Sequence, residues 1–337
     1  MKGAKVDIKD GHGRTVLHYA AMKGLKDVVE KIIAKGANLD LGDCHNKTPL
    51  HYAAMNGHKD IIDMLISNGA KVDPRDSRLR PPLHLAAENG QTKVVEMLIK
   101  KGAKVNATDD AIDAFKRTPL HYAAMNGHED IVEKLIKGGT NVDFEDENDQ
   151  TPLHYAAMNG HKDIIDMLIS NGAKVDPRDS RLRTPLHLAA GNGQTKVVEM
   201  LVKKGAKVDA TDDAIDAFKR TPLHYAAMNG RKDIIDMLIS NGAKVDPRDS
   251  RLRTPLHLAA ENGSDDVVEE LIKRGSDLTA IDISEKTPLL LAVMNVNDKC
   301  AKGQLETVRK LIKNGASVDS TDRLERNPLH YAAMNGC

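Results

Sequence analysis

Apolar residues in this chain come in short stripes cut off by glycine, and residues 48–80 show the arrangement in full. The stretch opens Thr-Pro-Leu-His-Tyr-Ala-Ala-Met-Asn-Gly, continues as His-Lys-Asp-Ile-Ile-Asp-Met-Leu-Ile-Ser-Asn-Gly-Ala, and ends in the polar run Lys-Val-Asp-Pro-Arg-Asp-Ser-Arg-Leu-Arg. Two short helices and a connector fit it. Thr48 caps the first helix, its hydroxyl accepting a free backbone N–H, and Pro49 takes the first helical position, where a missing N–H costs nothing. Gly57 ends that helix. The second begins near Lys59, aligns Ile61, Ile62, Leu65 and Ile66 on one stripe at helical spacing, and stops at Gly69, which is free to adopt the left-handed cap conformation.

The opening tetrapeptide, Thr-Pro-Leu-His or a near copy, returns ten times, at Thr15, Thr48, Pro81, Thr118, Thr151, Thr184, Thr221, Thr254, Thr287 and Asn327. The spacings are 33, 33, 37, 33, 33, 37, 33, 33 and 40 residues. A period in that range marks a stacked array whose units cannot bury their apolar faces alone, so an extended surface is expected rather than an enclosed pocket. The order TPLHxAAxxG, a VVxxLI helix, then GAxV and an Asp-bearing turn resembles the ankyrin repeat family over essentially the whole chain. The resemblance implies an all-α fold, an α-solenoid of stacked helix-turn-helix repeats with β-hairpin-like fingers and a concave groove. We read one array, 1–337: a partial repeat 1–14, repeats 15–47, 48–80, 81–117, 118–150, 151–183, 184–220, 221–253, 254–286 and 287–326, and a partial repeat 327–337.

Departures from the family pattern matter as much. The family places Gly two residues before the Thr, where the finger turn needs a positive φ, and only Gly13 does so here, with Asn46 a tolerable substitute. Leu79, Lys116, Asp149, Leu182, Lys219, Leu252, Glu285 and Glu325 hold the other equivalents. Bulky residues disfavour that conformation, so the helices follow from the sequence but the hairpin geometry of most fingers does not. Pro81 replaces a capping Thr, at an expected loss of about 1 kcal/mol.

A second, longer period overlies the first. Residues 48–117 recur as 151–220 with four differences: Pro81 against Thr184, Glu88 against Gly191, Ile99 against Val202, and Asn106 against Asp209. Agreement on loops as well as core positions implies recent copying, and the recurring four-residue insertions favour natural tandem duplication; such arrays resemble those of intracellular bacteria and protists. The ninth unit has seven extra residues between Asn295 and Gly303, close to two helical turns, so they lengthen the helix without rotating its apolar face, or else protrude as a loop. Neither end carries a polar capping repeat, which fits a segment of a longer array or an intact protein with frayed termini, and leaves open end-to-end self-association.

Charge and cysteine usage narrow the function. With 49 basic and 49 acidic side chains there is no net field for a polyanion, so nucleic acid is a poor first guess. Cys44, Cys300 and Cys337 are few, odd in number and far apart, arguing for a reducing compartment. No apolar run suits a membrane span or a secretory signal, so the expectation is a cytoplasmic protein without membrane insertion, delivered into a host cell if it comes from an intracellular bacterium.

Candidate chemistry is sparse. Nine of the fourteen histidines lie one per unit in the frame, and layers roughly 10 Å apart cannot converge on a metal ion, so no metal or cofactor is expected. In the family this His hydrogen-bonds the backbone of the next repeat. His58, His128 and His161, after the Gly, are read as solvent-facing helix starts. No nucleophile elbow, phosphate loop or Cys-x-x-Cys appears, so no enzyme is expected.

The surface offers more. All six tyrosines follow a frame His and read as core, whereas Phe115, Phe144 and Phe218 fall in fingers. Ile112 with Phe115 and Ile215 with Phe218 make two equal tips in the insertions, roughly 30 Å apart, which either anchor a partner or fold back on the adjacent finger. Met55, Met125, Met158 and Met228, mostly followed by Asn, floor the groove for a helix or extended peptide or else fill gaps between first helices. Arg75, Arg78 and Arg80, Arg178, Arg181 and Arg183, and Arg248, Arg251 and Arg253 recur in three basic fingers, while residues 143–150 carry five acids and no base. Those arginines pair with a partner's carboxylates or with neighbouring acidic fingers. The function expected is therefore a module that binds another protein; the alternative is a mechanical or spacing scaffold within a longer polypeptide of the channel or cytoskeletal-linker type.

Overall fold

The computed structural model describes residues 5–109, 115–213, 218–296 and 301–335, with backbone alone at 301 and 302. Among them lie nineteen helices and no strand. The chain divides into two compact units, one of residues 1–156 with 163–173, the other of 157–162 with 174–337. The division runs through repeat 151–183, whose sequence is identical to that of 48–80, so no local feature marks it.

Each unit is a double layer. In the first, helix Pro49–Met55 packs between Val16–Lys23 and Pro82–Glu88, which in turn meets Pro119–Asn126; the second helices Lys26–Ile33, Lys59–Ser67, Thr92–Lys100 and Glu129–Lys137 stack in the same order. The second unit repeats this with first helices from Pro185–Asn192 to Pro328–Met334 and second helices from Thr195–Lys203 to Ala301–Lys313. The stripes of the sequence face one another across the layers: Leu50, Ala53 and Ala54 are buried against Ile61, Ile62 and Leu65. Small alanines let the helices approach closely, and each fully buried Leu or Ile contributes about 1.5–3 kcal/mol. In the ninth unit the second helix, Ala301–Lys313, runs thirteen residues against nine for Thr92–Lys100. Part of the insertion thus lengthens the helix, while 297–300 lie outside the described residues.

Polar groups stitch the layers. Thr48 N–H donates to His51 Nδ1 at 3.0 Å, which leaves the ring proton on Nε2, and that nitrogen donates to the Arg80 carbonyl at 2.9 Å. His18, His121, His187, His224 and His257 do the same, as in His18 to Lys47 and His187 to Arg220. Burial pushes the His51, His121, His187, His224 and His257 rings down to about 4, so they are neutral near pH 7. Pro81 breaks the pattern: lacking an N–H, it leaves His84 Nδ1 buried without a partner.

Fingers close on one buried aspartate apiece. Asp76 N–H donates to the Arg80 carbonyl at 3.2 Å, Leu79 N–H to the Asp76 carbonyl at 2.9 Å, and Asp76 Oδ1 accepts the backbone N–H groups of Arg78 and Arg80, both at 2.9 Å. The turn takes a left-handed residue despite its bulk. Leu79 has φ 57°, and Lys116, Asp149, Leu182, Lys219, Leu252, Glu285 and Glu325 lie between 54° and 62°. The positive φ is thus adopted in spite of bulk: the conformation costs roughly 1–2 kcal/mol per residue, and charge-assisted bonds to the aspartate offset it. Single backbone bonds then link consecutive tips, for example Ser77 N–H to the His45 carbonyl at 2.8 Å, without a hairpin ladder among the described residues.

Candidate protein-binding surface

The buried aspartates decide which arginines reach solvent. Where Tyr follows the frame His, its hydroxyl donates to the finger carboxylate, as Tyr52 does to Asp43 and Tyr122 to Asp109, each at 2.6 Å. Burial and that carboxylate push the Tyr52 phenol up to about 12. At three of the four repeats where Leu replaces Tyr, Leu85, Leu188 and Leu258, the residue before the frame Thr or Pro is Arg, and it folds onto its own finger's carboxylate; at the fourth, Leu291, it is Lys286. Arg80 Nη2 lies 3.0 Å from Asp76, Arg183 Nη2 2.7 Å from Asp179, and Arg253 Nη2 3.0 Å from Asp249. Arg80 and Arg253 are only 8% exposed and also reach Glu88 and Glu261. These three arginines therefore hold fingers together, a correction to their place among partner contacts.

A second set staples neighbouring fingers. Arg75 Nη1 donates to the Leu79 carbonyl of its own finger and to Thr108 of the next, at 2.8 and 2.9 Å; Arg178 and Arg248 bridge likewise to Thr211 and Ile281. Arg78, Arg181 and Arg251 remain exposed on the tips.

The aromatic tips differ from one another. Phe144 is half-buried, edge-on to the His121 ring at 6.4 Å between centroids, and so less wet than the tip position implied. Phe115 is 46% and Phe218 36% exposed, each backed by its own finger's arginine: Arg117 at 4.3 Å from the Phe115 ring, Arg220 at 4.4 Å from that of Phe218. Their carbonyls accept the Glu147 and Ser250 N–H groups of the following tips, at 2.8 and 2.7 Å, which ties Phe115 and Phe218 to those tips. Ile112 and Ile215 lie outside the described residues.

The methionine row is half-buried at Met55, Met125, Met158 and Met228, and it marks a joint as well as a surface. The residue after each Gly reaches back to the preceding unit: His58 Nε2 donates to the Met22 carbonyl at 3.1 Å, His128 to Glu88 at 3.2 Å, and Gln91 to Met55 at 3.3 Å. His58 and His128 are thus corrected from solvent-facing starts to bonds between layers. Among the described residues no cluster of His, Cys, Asp and Glu is placed to hold a metal ion, and no helix is long and apolar enough to cross a membrane.

A family model for ankyrin repeats (3 copies) matches residues 1–76, 83–179, 120–212, 177–249, 211–282 and 246–322. The chain belongs to the ankyrin repeat family. No curated relative matches it. Ankyrin repeats are protein–protein interaction modules, typically without catalysis. In these ankyrin repeats the interior carries eight frame histidines, from His18 to His257, with Tyr52, Tyr155 and Tyr331, whereas Tyr19, expected in the core, is 41% exposed. Arg precedes the frame beside Leu85, Leu188 and Leu258 and also beside Tyr19, Tyr122, Tyr225 and Tyr331, so the sequence pair alone does not tell which Arg folds onto its own aspartate: Arg80 and Arg253 do, and so does Arg326 although Tyr331 shares its carboxylate.

Proposed function

We propose that this array binds a partner protein through its fingertips and the adjoining Met-Asn ends of its first helices, and performs no catalysis itself. The observation that carries the reading is the pair of exposed phenylalanines, Phe115 and Phe218, each joined by a backbone bond to the next tip. Large exposed rings are typical energetic centres of interfaces. The exposed Arg78, Arg181 and Arg251 set charge preference around them, and Met55, Met125, Met158 and Met228 add adaptable contact area.

Panning a displayed library of peptides and small domains on the immobilised whole chain tests this. Ligands selected on the wild type should lose about 2 kcal/mol, roughly 30-fold in Kd, on the Phe115→Ala/Phe218→Ala double variant. A spacing-scaffold role draws support from the bonds that join consecutive repeats, such as His58 to Met22, Gln91 to Met55 and Ser77 to His45. It is favoured if the library yields no ligand, or only ligands indifferent to both rings.

A further inference from the structure

The two phenylalanine fingers have identical sequences, Ala107–Arg117 and Ala210–Arg220, yet their surroundings carry opposite charge. Beside Phe115 the next finger presents Glu145, Glu147, Asn148 and Asp149; beside Phe218 the equivalent positions hold Arg248, Ser250, Arg251 and Leu252. Arg251 is exposed, lies 5.2 Å from the Phe218 centroid, and makes no ion pair among the described residues. Leu252, 48% exposed, adds apolar surface on the same tip.

The arginine behind each ring also differs. Arg117 donates to the Tyr155 hydroxyl of the next repeat at 3.1 and 2.8 Å, with Asp146 at 3.7 Å. Despite burial, those neighbours raise it above its ordinary value. Arg220 faces Leu258 at the Tyr position, and its Nε is buried with no hydrogen-bond partner, 3.7 Å from an Asp249 that Arg253 already engages. Burial and the Arg253 charge lower Arg220. Positive charge around Phe218 is therefore under-compensated within the molecule.

Resting on the binding role argued above and sharpening it, we propose that the Phe218 tip, with Arg251 and Arg248, binds an extended acidic peptide segment. An aliphatic side chain of the ligand packs on Phe218 and Leu252, and a carboxylate takes the N–H fork of Arg251. A guanidinium stacked on a ring keeps its in-plane donors free, so the fork is oriented before the ligand arrives. The Phe115 tip, facing Glu145, Glu147 and Asp149, repels the same ligand. Glu285 and Lys219, the other exposed charges nearby, are paired with Arg323 at 3.8 Å and Asp213 at 3.4 Å.

The test uses the full chain and three capped octapeptides alternating Glu, Gln or Lys with Leu, measured by isothermal titration. The Glu–Leu peptide should bind roughly tenfold or more tighter than the Gln–Leu peptide, weaken with added salt, and show one site per chain. Phe218→Ala and Arg251→Glu should each weaken it by roughly tenfold, while Phe115→Ala leaves it unchanged. Arg251→Asn copies the residue at the equivalent position 148, so it keeps the finger folded and should give a smaller loss. Equal binding of all three peptides with sensitivity to Phe218→Ala overturns the acidic preference and leaves the fingertip role standing. Binding of the Glu–Leu peptide indifferent to both Phe218→Ala and Arg251→Glu overturns the site, and no binding by any peptide overturns the proposal, with library panning then judging the broader role independently.

Discussion

Repeat 81–117 of the first unit and repeat 184–220 of the second are near copies, and their comparison separates what a repeat carries within itself from what its neighbour confers. Both build the same buried aspartate, Asp109 and Asp212, whose carboxyls burial pushes up and whose outer oxygens take a Tyr hydroxyl at 2.6 Å. Both expose a phenylalanine. The copies part where the next repeat begins: Tyr155 satisfies Arg117, while Leu258 leaves Arg220 short of a partner and a basic finger follows instead of an acidic one. Recognition in such an array thus diverges by changing the neighbour while the loop stays constant.

The strongest way to erase the comparison is acid, because both copies depend on neutral frame histidines. Burial holds His84 at about 3 and His51, His121, His187, His224 and His257 at about 4, below the ordinary 6.5 of the unfolded chain. The unfolded chain therefore binds more protons, so stability is complete above pH 6.5 and declines as pH falls toward 4. At pH 5 each ring costs about 2 kcal/mol, and six together approach or exceed the whole stability of an ordinary domain. Helical circular dichroism should collapse between pH 6 and 4; an unchanged signal at pH 4 breaks the argument.

Next in size is a graft. Glu145→Arg, Asn148→Arg and Asp149→Leu together give the Phe115 tip the neighbours of Phe218, and the Glu–Leu peptide should then titrate to two sites per chain instead of one. A stoichiometry that stays at one shows that Tyr155, by satisfying Arg117, governs the tip more than the fingertip charges do.

Smaller effects sharpen the comparison through two of the four differing positions. Pro81→Thr restores the donor that Thr184 supplies to His187 at 3.1 Å, and should raise stability by about 1–2 kcal/mol in urea unfolding. Thr184→Pro should lose a similar amount. Gly191→Ala places its Cβ no closer than 3.5 Å to Tyr225, so the helix gains about 1 kcal/mol from propensity alone. If that variant is destabilised, the tolerance at this turn comes from packing that glycine alone permits.

The helices were legible because everything that defines them is local. Thr-Pro at the start, glycine at the end and an apolar stripe between lie within a dozen residues, and helix Lys59–Ser67 forms where those signals place it. The insertion in the ninth unit was half legible: helical spacing pointed to a longer helix without telling which, and it is the second, Ala301–Lys313, that is longer, while the first ends at Met294. The fingers were not legible from glycine content, since the left-handed turn at Leu79 is held by the Asp76 carboxylate, a preference set by hydrogen bonding rather than by the residue's own φ. Nor was the fate of the arginines. Arg78 and Arg80 stand two residues apart in one basic run, but one is exposed and the other is buried on Asp76 beside Leu85.

The repeat period and the two-helix unit were set by sequence alone, because short-range caps and stripes leave one way to stack such units; the frame histidine, expected to bond the next repeat, instead bonds the last finger residue of its own repeat, as His51 does with Arg80. Which charged and aromatic side chains reach solvent was decided only by the tertiary structure. Each finger's polar groups compete for partners supplied by the repeat that follows: Asp109, taken by Tyr122, leaves Arg117 to the Tyr155 hydroxyl, whereas Asp76, beside Leu85, holds Arg80 inside.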